Sequence, residues 1–198
     1  MEPQVHETNG SGLSPWLERL GALRIRVFRE FPYLYDGSEE YERDYLRIYQ
    51  NAPDSLVVLV TDGPEKLVGA TTCLPMSQEG PEFQEPFRRA GIDVGSVFYF
   101  GESILLPEWR GRGLGKMFFD KREAHARRLG YPVTAFCAVD RPADHPQRPA
   151  GYRPLDGFWQ SRGYVKRQDL RASYSWKEIG EEHESSKTLT FWTKSWTE

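Results

Sequence analysis

The run Arg110-Gly111-Arg112-Gly113-Leu114-Gly115, followed by Lys116, constrains this chain more than any other segment. It stands between an apolar, strand-like stretch, Val97 to Leu106, and an amphipathic helical stretch from about Gly113 to Leu129. Glycines at 111, 113 and 115 let the backbone approach an anion closely. The free N–H groups of the helix that follows, with its dipole, then hold negative oxygens. Arg110, Arg112 and Lys116 add local positive charge to a chain whose formal net charge is −3. The segment therefore reads as a pyrophosphate cradle, against the plainer alternative of a solvated Gly/Arg turn.

Spacing separates the known phosphate loops. A Walker A loop requires G-x-x-x-x-G-K-[ST], but the residue five before Gly115 is Arg110, and Met117 follows Lys116. A dinucleotide fingerprint requires G-x-G-x-x-G, but its last position falls on Lys116 counted from Gly111 and on Phe118 counted from Gly113. The pattern that remains, [QR]-x-x-G-x-[GA], is met by Arg110, Gly113 and Gly115.

At 198 residues one core is expected, and a single domain over 1–198. The acidic balance offers no basic field for nucleic acid. Aromatic residues reach 14%, with six Trp, an excess that predicts some of them in a ligand site. Met1 to Gly12 is polar and does not read as a secretory leader, and no apolar run approaches the roughly 18–20 residues that span a bilayer. Cys73 and Cys137 lie in apolar runs, as buried free thiols do, so a cytoplasmic protein without disulfides or membrane attachment is expected. No Cys, His and Asp spacing matches a metal site.

Ser14-Pro15 reads as the start of an amphipathic helix carrying Leu17, Leu20, Leu23 and Val27, and Ser38 as the cap of a second, Glu39 to Gln50. Ser55 to Thr61 and Leu67 to Leu74 read as a hairpin, and a short helix is expected near Glu82 to Ala90. After the long helix come a strand, Val133 to Val139, a Pro-rich stretch, a helix, Leu155 to Arg162, and two closing strands, Leu170 to Trp176 and Thr188 to Trp196. The alternation predicts a mixed α/β sheet flanked by helices.

The loop pattern in this setting resembles the coenzyme A loop of the GNAT superfamily of N-acetyltransferases. Arg24-Ile25-Arg26-Val27-Phe28 resembles that family's first-helix pattern, and Phe158-Trp159-Gln160-Ser161-Arg162-Gly163-Tyr164 its late aromatic motif. The resemblance implies a mostly antiparallel sheet of about six to seven strands in which a central pair splays apart. It implies that acetyl-coenzyme A is held by Arg110, Gly111, Arg112, Gly113, Leu114, Gly115 and Lys116, with its pantetheine arm along the backbone of Ile104, Leu105 and Leu106. The implied reaction is direct transfer of an acetyl group to the primary amine of a small-molecule or peptide acceptor, by a monomer or homodimer. A non-catalytic acyl-coenzyme A sensor of the same fold is the alternative.

Glu102 is the only acidic residue between Val97 and Leu106, and an ionisable group in such a run has to face a cavity or find a partner. It is the preferred general base, with pairing to an Arg as the structural alternative. Phe31, Tyr33, Tyr35 and Tyr99 are expected at the acceptor pocket, with Phe191, Trp192 and Trp196 near it. His145, in the loop before the late helix, is a minor candidate for the border of the site, set against a plain loop residue. The family commonly uses a tyrosine four residues before the late glycine to reprotonate the leaving thiolate; here Trp159 stands there, and its indole cannot serve. Tyr164 and Tyr152 are the candidate substitutes, against the plainer reading of packed, hydrogen-bonded tyrosines and direct release of the thiolate to solvent, and Cys137 reads as a buried strand cysteine rather than a nucleophile.

Overall fold

The computed structural model describes residues 2–64 and 66–196. Seven strands form one sheet in the order β1-β2-β3-β4-β5-β7-β6. They are β1 (Gln4–Thr8), β2 (Leu56–Asp62), β3 (Lys66–Pro75), β4 (Val97–Leu105), β5 (Val133–Val139), β6 (Val165–Trp176) and β7 (Ser185–Ser195). Every neighbouring pair is antiparallel except β4 and β5. The helices are α1 (Leu17–Phe28), α2 (Glu39–Asn51), α3 (Pro81–Arg89), α4 (Leu114–Arg128) and α5 (Asp156–Ser161).

Side chains of β4 show how the layers sit. Phe98 packs on His125 and Tyr131, and Phe100 on Phe119, so this face is covered by α4. Gly101 meets Tyr49 of α2 and Glu102 meets Arg24 of α1, on the opposite face. Strict alternation would put Glu102 beside Phe98 and Phe100. A bulge prevents it: the β3–β4 register steps from Thr71↔Ser103 to Cys73↔Phe100, so Thr72 faces both Gly101 and Glu102. The bulged peptide is satisfied by side chains. Glu102 N–H donates to Thr72 Oγ1 (3.3 Å), and its carbonyl accepts from Thr71 Oγ1 (2.6 Å) and from buried Arg122 (3.4 Å).

β4 and β5 pair only through Val97↔Val133, Phe98↔Thr134 and Tyr99↔Ala135. Beyond Tyr99, β5 continues alongside β7 while β4 runs on against β3 alone. The two central strands thus diverge, as the resemblance implied.

Two local expectations are corrected, and one strand is new. Ser14 caps no α-helix: it lies in a 3-10 turn, Gly10–Trp16, where its hydroxyl donates to Ser11 O (2.8 Å), and α1 begins at Leu17. The polar N-terminus contains a strand, β1, which gains its order by pairing with β2 at the sheet edge. The strand expected from Leu170 begins at Val165, because a register shift between Arg167 and Arg171 carries the ladder through a polar stretch. Ser38 does cap α2, accepting the Tyr41 N–H (3.3 Å).

A Cβ at Gly101 would lie 1.9 Å from the hydroxyl oxygen of fully buried Tyr49 and 2.7 Å from Thr72 Oγ1. Gly101→Ala is expected to destabilise the fold by about 1–3 kcal/mol, the cost of overpacking a filled core. Urea denaturation monitored by tryptophan fluorescence checks it.

Candidate active site

Two features meet where β4 and β5 part. The first is the glycine loop. β4 ends at Leu105, a short turn, Pro107–Trp109, follows, and Gly111 (φ +75°) and Gly113 (φ +82°) take left-handed conformations that favour glycine. Gly113 is the N-cap of α4, and no side chain caps that helix. The first intrahelical bond is Met117 N–H to Gly113 O (3.1 Å), so the N–H groups of Leu114, Gly115 and Lys116 point out of the helix start. No atom lies within 4 Å of the Cβ positions of Gly111, Gly113 or Gly115, which leaves this backbone open to a large anion.

The arginines of the loop are held in place. Arg110 forms an ion pair with Glu30 (2.8 Å) and donates through Nε to the Leu105 carbonyl (3.1 Å); Arg112 stacks over Trp109 at 4.5 Å. Arg110 therefore ties the end of β4 to the segment after α1. Lys116 is exposed.

The edge of β4 along the opening is set by antiparallel alternation. Leu106 N–H is spent on Val68 O (2.9 Å), toward β3. Leu105, one residue back, turns its N–H and C=O the other way, toward the opening. Of Ile104, Leu105 and Leu106, Leu105 is the residue that offers an N–H there, its carbonyl already accepting from Arg110 Nε.

The second feature is a buried polar cluster between β4 and helices α1 and α2. Arg24 lies on the inner face of α1, with its Nε on Glu42 of α2 and its Nη1 2.5 Å from Glu102. Burial opposes its charge, but Glu102 and Glu42 hold the guanidinium well above its ordinary value. Glu79, in the turn after β3, is also buried. Burial, with Glu102 and Glu82 nearby, pushes its carboxyl up to about 7 against the pull of the Gly80 amide and Arg24. Tyr45, Tyr49 and Tyr99 surround the cluster, and burial raises all three phenols, so they stay neutral donors. Buried Oε1 atoms of Glu79 and Glu102 have no hydrogen-bond partner, while the Tyr35 hydroxyl lies against the Glu42 carboxylate.

The structure distributes the other expected residues unevenly. Tyr99 is in the cluster, with its hydroxyl 3.2 Å from Cys137 Sγ. Phe31 lies edge-on to Tyr152 (4.7 Å) and near His145 (5.5 Å), so the loop after α1 meets the Pro-rich loop before α5. Tyr33 packs on Phe28 and Trp176, and Tyr35 beside Tyr41. Tyr164 faces α4, across the sheet from Glu102, in contact with Phe119 and Phe136, and its hydroxyl bonds Thr134 Oγ1 (3.0 Å). Trp159 packs on Phe136 and Trp192 on that same face, whereas Phe191 faces Tyr99. Trp196 lies under the Lys194 ammonium (4.0 Å). Burial pushes the Cys137 thiol up to about 12, so it is not a thiolate at neutral pH.

Arg24, Glu42 and Glu79 escaped the sequence reading as site residues. A signal existed for Arg24, a charge on the same helical stripe as Leu20, Leu23 and Val27. None existed for Glu79, one acidic residue in a polar, Gly/Pro-punctuated stretch.

Splayed strands, a bulged central strand and an open glycine loop at a helix start are the marks of a coenzyme A-dependent acyltransferase fold. The sequence model of the Acetyltransferase (GNAT) family matches residues 22–149, and the chain belongs to that family. Among solved structures it is similar to a GNAT-family acetyltransferase from Staphylococcus aureus (TM-score 0.63, 11% identity, covering 98% of this chain and 99% of that one). It is similar also to a ribosomal-protein-alanine N-acetyltransferase from Brucella melitensis (0.62, 14%, 98% and 99%). A third, from Salmonella typhimurium, described as an acetyltransferase and solved with its cofactor acetyl-CoA, gives 0.61 and 12%, covering 100% and 96%. No curated protein sequence matches this chain. No helix among the described residues is long and apolar enough to cross a membrane.

Two stability effects follow from the buried charges. Arg24→Ala strands Glu42 and Glu102 without their cation and is expected to cost about 3–5 kcal/mol in chemical denaturation. Glu79 binds its proton more tightly folded (about 7) than at its ordinary value of 4.5, so its contribution to stability is full below 4.5 and is lost as pH rises toward 7. Glu79→Gln is expected to flatten that part of the denaturation midpoint plotted against pH.

Proposed function

We propose that this protein transfers an acetyl group from acetyl-coenzyme A to a primary amine, by direct attack with both substrates bound. The observation that carries this reading is the opening between β4 and β5, faced by the backbone of Leu105 and continuous in sequence with the glycine loop. The loop backbone from Gly111 to Lys116, with Arg110 and Arg112, would hold the pyrophosphate, and Ile104, Leu105 and Leu106 would line the pantetheine arm. The left-handed glycines and free helix-start N–H groups fit such a group. The co-substrate supplies an activated thioester, and the Leu105 N–H is the donor suited to its carbonyl oxygen. The Salmonella neighbour's cofactor supports the choice of acyl donor.

The acceptor would approach from the face carrying Tyr99, past Tyr33, Tyr35 and Phe31. It arrives as an ammonium ion, and one carboxylate of the buried cluster takes its proton directly or through one water; Glu102, on the motif strand, is the candidate base the sequence singles out. The leaving thiolate is reprotonated by Tyr152 or by solvent, since buried Tyr164 faces α4 with its hydroxyl on Thr134. A non-catalytic acyl-coenzyme A sensor is the second reading, favoured by Trp159, which packs where the family commonly has a tyrosine.

Acetyl-coenzyme A and coenzyme A are expected to raise the melting temperature, while ATP and NAD do not; stabilisation by ATP alone would sink the coenzyme A reading. Gly113→Val, forced to φ +82°, is expected to weaken coenzyme A binding about tenfold, roughly 1.4 kcal/mol, by calorimetry. Thiol release across a panel of primary amines separates enzyme from sensor.

A further inference from the structure

Three carboxylates lie in the buried cluster, and they are not equivalent. Glu42 and Glu102 both form ion pairs with Arg24. Glu79 is different. Its Oε2 accepts the Gly80 N–H (2.9 Å), its main-chain carbonyl accepts from Gln84 Nε2 (2.6 Å), and its N–H donates to Met76 O (3.1 Å). The residue is thus clamped at both backbone and side chain, while Oε1 is buried and unbonded. No cation contacts its carboxylate among the described residues.

The surroundings suit a cationic guest. Phe83 of α3 lies between Tyr99 (5.6 Å) and Tyr174 (5.3 Å), and the Tyr174 hydroxyl bonds that of Tyr41. These rings form an aromatic wall of the kind that favours ammonium groups. The charged groups acting on Glu79 are Glu102 of β4, Glu82 of α3 and Arg24 of α1. Its charge is felt in turn by Tyr45 and Tyr49 of α2, by Cys137 of β5 and by Tyr174 of β6. Arg24 faces two carboxylates, Glu42 and Glu102, and Glu79 adds a third to the cluster.

We propose that Glu79 is the general base that deprotonates the acceptor ammonium, while Glu102, held by Arg24, remains ionised as its counter-charge. This assignment rests on the acetyltransferase reading above. Glu79 takes one proton from R–NH3+ to give the neutral amine. The nitrogen lone pair forms the C–N bond to the thioester carbonyl carbon, and the C–S bond breaks with its electron pair on sulfur. The nitrogen loses a second proton, the thiolate gains one, and the proton on Glu79 passes to solvent. The raised carboxyl, near 7, suits a base working at neutral pH.

The test is the pH profile of kcat/KM for the best amine in the panel. The intact protein is expected to show an acidic limb near pH 7. Glu79→Gln should lower kcat at least about a hundredfold and abolish that limb, with coenzyme A affinity unchanged as evidence of an intact fold. Glu79→Asp should restore part of the rate and keep a limb. Glu102→Gln should weaken amine binding and leave the limb in place. A limb that survives in Glu79→Gln, or disappears in Glu102→Gln, overturns the assignment while sparing the acetyltransferase reading. Absence of turnover with every amine, despite coenzyme A binding, overturns the enzyme reading and this assignment together. Carbon-13 NMR of glutamate-labelled protein gives an independent check: a carboxyl titrating near pH 7 should vanish in Glu79→Gln, and its persistence refutes the proposal.

Discussion

Opposite Thr72, β4 spends two residues where β3 spends one, and most of the site depends on that mismatch. Before the bulge, Phe98 and Phe100 pack against α4; within it, Glu102 turns to α1. An unbulged strand would drive a carboxylate into the aromatic layer around Phe119, where no pairing with Arg24 is possible. The distorted peptide is stable because Thr71, Thr72 and Arg122 replace the ladder bonds it gives up. Just before this point β4 leaves β5, so one irregularity aims the acid and stands beside the mouth of the opening.

The carboxylates behind the bulge are ion-paired, with one exception. A buried carboxylate costs several kcal/mol unless a counter-ion compensates it. Arg24 compensates Glu42 and Glu102 by contact. It reaches Glu79 only at a distance, and burial pushes that carboxyl up to about 7. Tyrosines fill the remaining space with hydroxyls that burial keeps protonated. Unequal compensation gives chemically similar side chains different tasks.

The loop half of the site works on other physics. Its anion-holding groups are backbone N–H groups at the start of α4, fixed by glycine conformation and needing no side chain to move. Arg110, engaged with Glu30 and the Leu105 carbonyl, braces the junction of β4 with the segment after α1. That brace joins the loop half to the chain segment that carries Phe31 and Tyr33.

Sequence alone determined what local sterics and periodicity encode: the glycine loop, the strand and helix around it, the β2–β3 hairpin, the Ser38 cap and the strand Val133–Val139. Those features depend on neighbours a few residues away, so their signals are legible in a single chain. The mixed, splayed sheet was implied by resemblance and is present. Tertiary structure decided the rest. β1 is a strand only because β2 lends it hydrogen bonds, and the polar start of β6 only because β7 does. Tyr164 lies across the sheet from Glu102, a separation set by strand order and packing. Arg24, Glu42, Glu79 and Glu102 come from four separate segments. Their charges matter to one another only because folding removes the water that would have screened them.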